Sequence, residues 1–331
     1  MAVGSGEDTP SCDLVSLSGA LRVCDMEMVL LDARGPHATV DSRVANEAIY
    51  CSGETDFPFR GRFVLPVDWC LLGHIHHTPE GSWCHGTELR SGMSFTVMPE
   101  GISEFMLRAG SQLSVVLVPL EQLRRKFAEM EPLQGEIPSR LLSLFHLNDT
   151  LAASELRQQF THIRERLIGR REASDGEAMQ GQDLDALVER HLLAGLSARA
   201  EDRPQCTRGR RTHYLIVQRA EQFMRANMRQ DIYITEMCNA AGVSERALRY
   251  AFDDLLGLSP NRYLSMLRLC TACRSLSLSD ASRRSVKSVA LSCGLWDLSR
   301  FADHYRRVFG ELPRDTLMRA PSMESAQATA S

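Results

Sequence analysis

The spacing of apolar positions changes character along this chain, and each change predicts a different kind of element. Residues 1 to about 55 mix short apolar and polar runs without a dominant period. From Phe57 to Pro119, runs rich in Val, Leu and Phe alternate with Gly- and Pro-containing turns at 79–81, 91–92 and 99–101. Short strands broken this often predict a β-sandwich or small barrel over about 57–120, a shape that can enclose a small molecule. The period then lengthens. Leu156, Phe160, Ile163 and Leu167 form one helical stripe and Leu184, Leu187, Val188 and Leu192 another, with the polar loop EASDGEAMQGQD between them. These helices, within 150–196, either pack on the β-domain or offer a stripe to a second protomer. The segment SARAEDRPQCTRGRR, 197–211, has no period and reads as a linker.

The last third repeats itself. Ile234, Met237, Cys238 and Ala241 lead to Gly242, then Ser244, then Leu248, Phe252 and Leu256. Val286, Val289, Ala290 and Cys293 lead to Gly294, then Phe301, Tyr305 and Phe309. The copies keep an offset of 52 residues before the turn and 53 after it, so Gly257 and Pro260 correspond to Gly310 and Pro313. A helix, a tight turn that needs glycine and a second amphipathic helix make the unit that lays a recognition helix in the DNA major groove. Around the two units the pattern predicts about seven helices. They are 212–226, 234–241, a third capped by Ser244, a fourth from Ser259-Pro260 to about Leu278, a fifth capped by Ser285, a sixth capped by Asp297 and stopped by Gly310, and a short one after Pro313. The fourth is about 27 Å long at 1.5 Å per residue. That is close to the roughly 34 Å between successive major grooves on one face of DNA.

Composition narrows the class. At 331 residues the chain calls for two domains, and its 44% hydrophobic and 24% charged content is that of a soluble globular protein. The opening MAVGSGEDTPSCDL lacks the basic and apolar regions of a secretory signal, and no apolar run approaches membrane-spanning length. Ten cysteines spread along such a chain suggest reduced thiols and a cytoplasmic location. Cys270 and Cys273 form CxxC, but inside a predicted helix with no second pair, which argues against zinc; Cys238 and Cys293 fall on buried helix faces. The net charge of −4 hides an asymmetry: residues 207–320 hold 19 Lys+Arg against 11 Asp+Glu, and residues 1–206 hold 19 against 30. The basic half is where a phosphate backbone would dock.

In each second helix the positions off the apolar stripe should face DNA. They are Ser244, Glu245, Arg246, Arg249 and Tyr250 in the first unit, and Trp296, Ser299, Arg300, Asp303 and His304 in the second. Arg246, Arg249 and Arg300 suit guanine or phosphate, while Arg262, Lys287, Arg306, Arg307 and Arg314 suit backbone contacts that position without reading sequence. Arg268, in the joining helix, should make a structural salt bridge. In the β-domain His74, His76 and Glu80 form HxHxxxE ahead of GMSFTVMPEG, which approaches the cupin metal pattern. Glu104 stands near the place where that pattern leads one to expect histidine. The preferred expectation is an organic-ligand pocket without metal or cofactor, with Trp69, His74, His76, Trp83, His85 and Glu104 as candidates. The alternative is a metal-binding cupin-type sensor or enzyme. No Ser-His-Asp, P-loop or dinucleotide motif points to catalysis.

ITEMCNAAGVSERALRYAFDDLLGLSPNRYLSMLRL and SVKSVALSCGLWDLSRFADHYRRVFGELP, covering most of 234–313, resemble the AraC/XylS family of bacterial transcription regulators. GLSPNRYL, GLWDLSRFADHYRRVFGELP and PRDTL are similar to the subgroup that includes the ethanolamine-operon regulator, which FTVMPEGISEF and LSVVLVPLEQLRRKF resemble more loosely. Thr316-Leu317 departs from the wider family, where many members carry an aromatic and Arg; the subgroup shares the departure. The resemblance implies a regulator that binds an asymmetric site with both units and recruits RNA polymerase. Activation is a further expectation, as are a small-molecule effector, from the barrel-like texture of 57–120, and a homodimer paired through the N-terminal half, where the stripe of Leu156, Phe160, Ile163 and Leu167 is available. It also implies that Arg246, Arg249 and Tyr250 contact bases or backbone. The expected architecture is α+β. It comprises a cupin-like barrel or sandwich with flanking helices in 1–196, the linker, an all-α double helix-turn-helix domain in 212–320 and a disordered tail, 321–331.

Overall fold

The computed structural model describes residues 17–32, 37–130, 142–147, 150–169 and 181–319. The expected tail and most of the loop between the two N-terminal helices lie outside them. Among the described residues, two antiparallel sheets face each other. The first runs in the order β1 (Glu27–Leu30), β4 (Phe59–Val64), β9 (Ile102–Leu107), β6 (Trp83–Cys84), β7 (Thr87–Glu88). The second runs β11 (Leu142–Phe145), β8 (Ser94–Val97), β5 (Trp69–His77), β10 (Ser111–Pro119), β3 (Ala48–Thr55), β2 (Ala38–Ala45).

Strands therefore begin at Glu27, well ahead of Phe57. They escape the pattern for local reasons. β1 has four residues, and β2 is a half-exposed edge strand. β3 buries Tyr50 and Cys51 on opposite faces, so its polarity does not alternate.

The six-stranded sheet is covered on both sides, and the two-residue period of its strands decides which side chain goes where. Leu71, Ile75, Val115 and Leu117 enter the sandwich interior; Cys70, Leu72, Val116 and Val118 enter a second core beneath helices. That second core is closed by α1 (Leu120–Glu129), α2 (Leu151–Gly169) and α3 (Gly181–Ser197). The pattern missed α1, which follows β10 directly, has no side-chain cap and buries only Leu123.

The stripe Leu156, Phe160 and Ile163 is at most 2% exposed, packed with Leu184, Leu187, Val188 and Leu192. It is consumed inside the protomer and is not the available pairing surface that the homodimer expectation used; the side chain of Leu167 lies outside the described residues.

Nor is 197–211 a free tether. It forms a short 3₁₀ turn, Ala200–Asp202, whose Asp202 carbonyl accepts from His146 N at 2.8 Å, and Arg203 Nη1 donates to Ser143 Oγ at 2.8 Å. Helix α4 then runs Arg208–Ala226, with the Thr207 hydroxyl accepting from Arg210 N, four residues ahead of the expected start. Six more helices follow: α5 (Ile234–Ala241), α6 (Glu245–Leu256), α7 (Pro260–Ser277), α8 (Val286–Ser292), α9 (Leu298–Phe309) and α10 (Pro313–Met318). One apolar core runs without interruption from the sandwich interior into this helical half.

Candidate nucleic-acid interface

Each repeated unit is built by the same local devices. Helix α5 ends at Gly242 with φ 71°, a left-handed conformation that a side chain disfavours. Ser244 then caps α6, its hydroxyl accepting from Ala247 N at 3.3 Å. Leu248, Ala251, Phe252, Leu255 and Leu256 bury one face of α6. The opposite face leaves Ser244, Glu245, Arg246, Arg249 and Tyr250 exposed, the tyrosine at 62%. Arg249 is not free: its Nε donates to Glu245 Oε1 at 2.8 Å, one turn earlier. Tyr250 leans its ring edge-on to His213, which is paired with Asp254 at 2.8 Å.

The second unit repeats the design. Gly294 has φ 71°, Asp297 caps α9 by accepting from Arg300 N at 3.0 Å, and Phe301, Tyr305 and Val308 turn inward. Trp296, Ser299, Arg300, Asp303, Arg306 and Arg307 stay exposed, with His304 half-buried among them. Its imidazole is held below the usual histidine range, first by burial and then by the guanidinium groups of Arg307, Arg300 and Arg262. Arg262 on α7 is therefore part of the cationic surface of the second unit; Lys287 and Arg314 are exposed on α8 and α10. Among the described residues Arg268 makes no ion pair. Its Nη2 donates to the Gln230 carbonyl at 2.5 Å, a structural role by another route than the salt bridge expected.

The six effector candidates do not converge on one pocket. Trp69 is half-buried at the start of β5. His74 and His76 face α2, where His74 stacks on Phe160 at 5.3 Å between centroids. Glu80 is exposed on the turn beyond. No group of three or more His, Cys, Asp or Glu side chains among the described residues is arranged to hold a metal ion.

Trp83, His85 and Glu104 face the helical half. Trp83 Nε1 donates to the Leu255 carbonyl at 3.0 Å, and His85 Nδ1 lies 3.0 Å from the Tyr214 hydroxyl. Glu104 accepts from Tyr214 at 2.7 Å and from Arg60 Nη2 at 3.2 Å. Arg60, 2% exposed, also pairs with Glu221 at 2.6 Å; Glu221 pairs with Arg225, and Arg225 with Glu27 at 2.8 Å. Burial disfavours the Arg60 charge, but Glu221, Tyr263, Glu104 and Tyr214 together outweigh it and hold the guanidinium protonated.

The interior of the sandwich instead holds a cavity of about 130 Å³, lined by residues such as Phe95, Phe105, Leu113 and Ile75, with none of the six candidates. The signal for it was present: these residues sit on odd-numbered positions of their strands, one step out of phase with His74, His76 and Glu104.

Residues 237–319 match a family model described as a helix-turn-helix domain. The XylDLEGF operon transcriptional activator 3 of Pseudomonas putida is 37% identical over 102 residues, which is 31% of this chain and 31% of that protein. A protein named "Probable thc operon regulatory protein", from Rhodococcus erythropolis, is 30% identical over 106 residues, 32% of each chain. The structure of a probable AraC family transcriptional regulator from Rhodopseudomonas palustris is 36% identical, covering 32% of this chain and 98% of that one, with a TM-score of 0.30. Residues 237–319 are thus a helix-turn-helix domain, and the relatives they resemble are named as an operon activator and an operon regulatory protein. The similarity spans about a third of the length of the relatives, 31% for the Pseudomonas activator.

Proposed function

We propose that the whole chain is a sequence-specific transcriptional regulator of the AraC/XylS family, an activator of a metabolic operon, whose two units enter successive major grooves. The observation that carries this reading is the duplicated geometry: two second helices, each capped and stopped alike, each burying its apolar face and presenting arginines outward. The names of the relatives support transcriptional activation, and the local excess of positive charge supports backbone contact. The N-terminal half, read as a cupin-like domain of the ethanolamine-operon-regulator subgroup, would bind a small molecule; RNA polymerase and a second protomer would be the protein partners. Among the described residues no helix is long and apolar enough to cross a membrane.

Chromatin immunoprecipitation with sequencing identifies the bound promoters. On such a site, Arg246→Ala and Arg300→Ala should each cost about 1–3 kcal/mol, with a much smaller loss on random DNA. Equal losses on both DNAs would reassign these side chains to phosphate contact. The absence of any salt-dependent DNA binding by the full chain would overturn the regulator reading.

A further inference from the structure

The outer face of the six-stranded sheet carries a cleft that DNA binding does not use. Its volume is about 440 Å³, and it lies between β5, β8, the segment around His146, and α2. The local periods place its side chains. Residues 157, 161 and 164 fall on one face of a helix, so Arg157, Thr161 and Arg164 form one wall. Residues 74 and 76 form the floor with Ser94, because Ile75 turns to the sandwich interior.

The described lining includes five basic side chains, His74, His76, His146, Arg157 and Arg164, and no carboxylate. His74 Nδ1 is engaged with Ser94 Oγ at 2.9 Å and His76 Nε2 with Ser114 Oγ at 2.8 Å. Burial, with smaller contributions from neighbouring basic groups that include Arg157 and Arg164, lowers these imidazoles to about 3 and about 4, so both are neutral. The charge of the cleft therefore comes from the arginines. Arg157 has no ion-pair partner among the described residues, and Arg164 has only a contact of 3.9 Å with half-exposed Glu54. Leu147, Ala153 and Leu156, with Phe145, form an apolar wall, and Ser91 and Gly92 complete the lining.

We propose that this cleft binds a small organic carboxylate, its anionic end between Arg157 and Arg164 and its hydrocarbon part against Leu147, Ala153 and Leu156. Guanidinium groups pair with carboxylate and phosphate alike; the apolar wall is what selects an organic anion. A volume of this size falls in the usual range of small-molecule sites, and the basic and polar side chains on its floor and one wall suit an anionic ligand. The sandwich cavity is no substitute, because its lining among the described residues holds no charged side chain. The assignment deepens the small-molecule half of the proposed function and is independent of the DNA half.

Isothermal titration calorimetry on the full chain tests it, with hexanoate, hexanol and inorganic phosphate as probes. Hexanoate should bind saturably, and roughly tenfold or more tightly than either hexanol or phosphate. The double variant Arg157→Gln, Arg164→Gln should weaken hexanoate by about tenfold or more, and Thr161→Phe, which fills the cleft without changing its charge, should abolish binding; circular dichroism verifies that both remain folded. The wild-type preferences decide the matter even if a variant does not fold. No saturable hexanoate binding, or equal binding of hexanoate and hexanol or of hexanoate and phosphate, overturns the proposal, as does unchanged affinity in both folded variants. Operator binding by the same preparations is scored separately, so loss of the DNA reading and loss of this one are distinguishable.

Discussion

Gly242 and Gly294 hold equivalent turns with the same φ of 71°, yet they differ in what surrounds them. A Cβ on Gly242 would meet nothing within 4 Å, whereas on Gly294 it would lie 2.2 Å from the Met228 carbonyl oxygen and 3.1 Å from the Arg268 guanidinium. Gly242→Ala therefore incurs only the left-handed backbone penalty, roughly 1–2 kcal/mol. Gly294→Ala should cost clearly more, because backbone that follows α4 must move and Arg268 must release the Gln230 carbonyl. Urea denaturation of the two variants measures the difference; equal losses would show that the Met228 contact relaxes freely. The same neighbourhood explains why Arg268 makes no salt bridge: its partner is a carbonyl supplied by a loop 38 residues earlier in the chain.

Among the elements, α2 shows how an amphipathic pattern can be read correctly and assigned to the wrong partner. A stripe at Leu156, Phe160 and Ile163 demands burial, and the sheet face carrying Tyr50, Leu72 and Val116 supplies it within the protomer. Phe160 is fully buried, its backbone carbonyl accepts from the Tyr50 hydroxyl at 3.3 Å, and His74 stacks on its ring. Phe160→Asp would put a carboxylate where a fully buried aromatic ring packs in this core and against His74, His76 and His191, imidazoles that burial keeps neutral. The expected outcome is misfolded or aggregated protein. Sedimentation and circular dichroism check it, and a folded, well-behaved monomer would restore the dimer-interface reading of this stripe.

Across the molecule, the sandwich and the helical half share one core and an ionic chain that runs from buried Arg60 and Glu221 through Arg225 to half-exposed Glu27. Burial raises the Glu221 carboxyl, but Arg60 and Arg225 outweigh it and hold the group below the usual carboxylate range. A depressed carboxylate contributes stability that is lost as pH falls through its folded value. Three imidazoles act in the same direction at higher pH. Burial is the main cause that lowers His74 and His191 to about 3 and His76 to about 4, from 6.5. Their neutral folded forms take up no proton where the unfolded chain does, so stability is complete above about 6.5 and falls as pH drops toward 4. Each contributes a slope of up to about 1.4 kcal/mol per pH unit. Denaturant unfolding at pH 7.5, 6 and 5 should show a progressive loss, and a flat profile over that window would contradict the burial of these imidazoles in their neutral state.

The helical half was legible in the sequence because its determinants are local. Ser244, Ser259, Ser285 and Asp297 cap the residues three positions later, the turn glycines answer to their own φ, and the 3.6-residue period of α6 and α9 separates core from surface without reference to any other element. The exposed candidates Arg246, Tyr250 and Arg300 follow from that period alone. The β half was legible only as a texture. Which face of a strand meets solvent, cavity or helix depends on what the rest of the chain lays against it, and a sheet covered on both faces shows little alternation to read. The chemistry of His74 and His76 makes them candidates, but the one-residue phase that turns them toward α2 and Ile75 toward the cavity is set by sheet packing. Glu104 and Trp83 read as pocket neighbours and meet Tyr214 and Leu255, more than a hundred residues away, for the same reason: a buried charge or indole N–H is satisfied by whatever tertiary contact brings to it, and sequence distance carries no record of that.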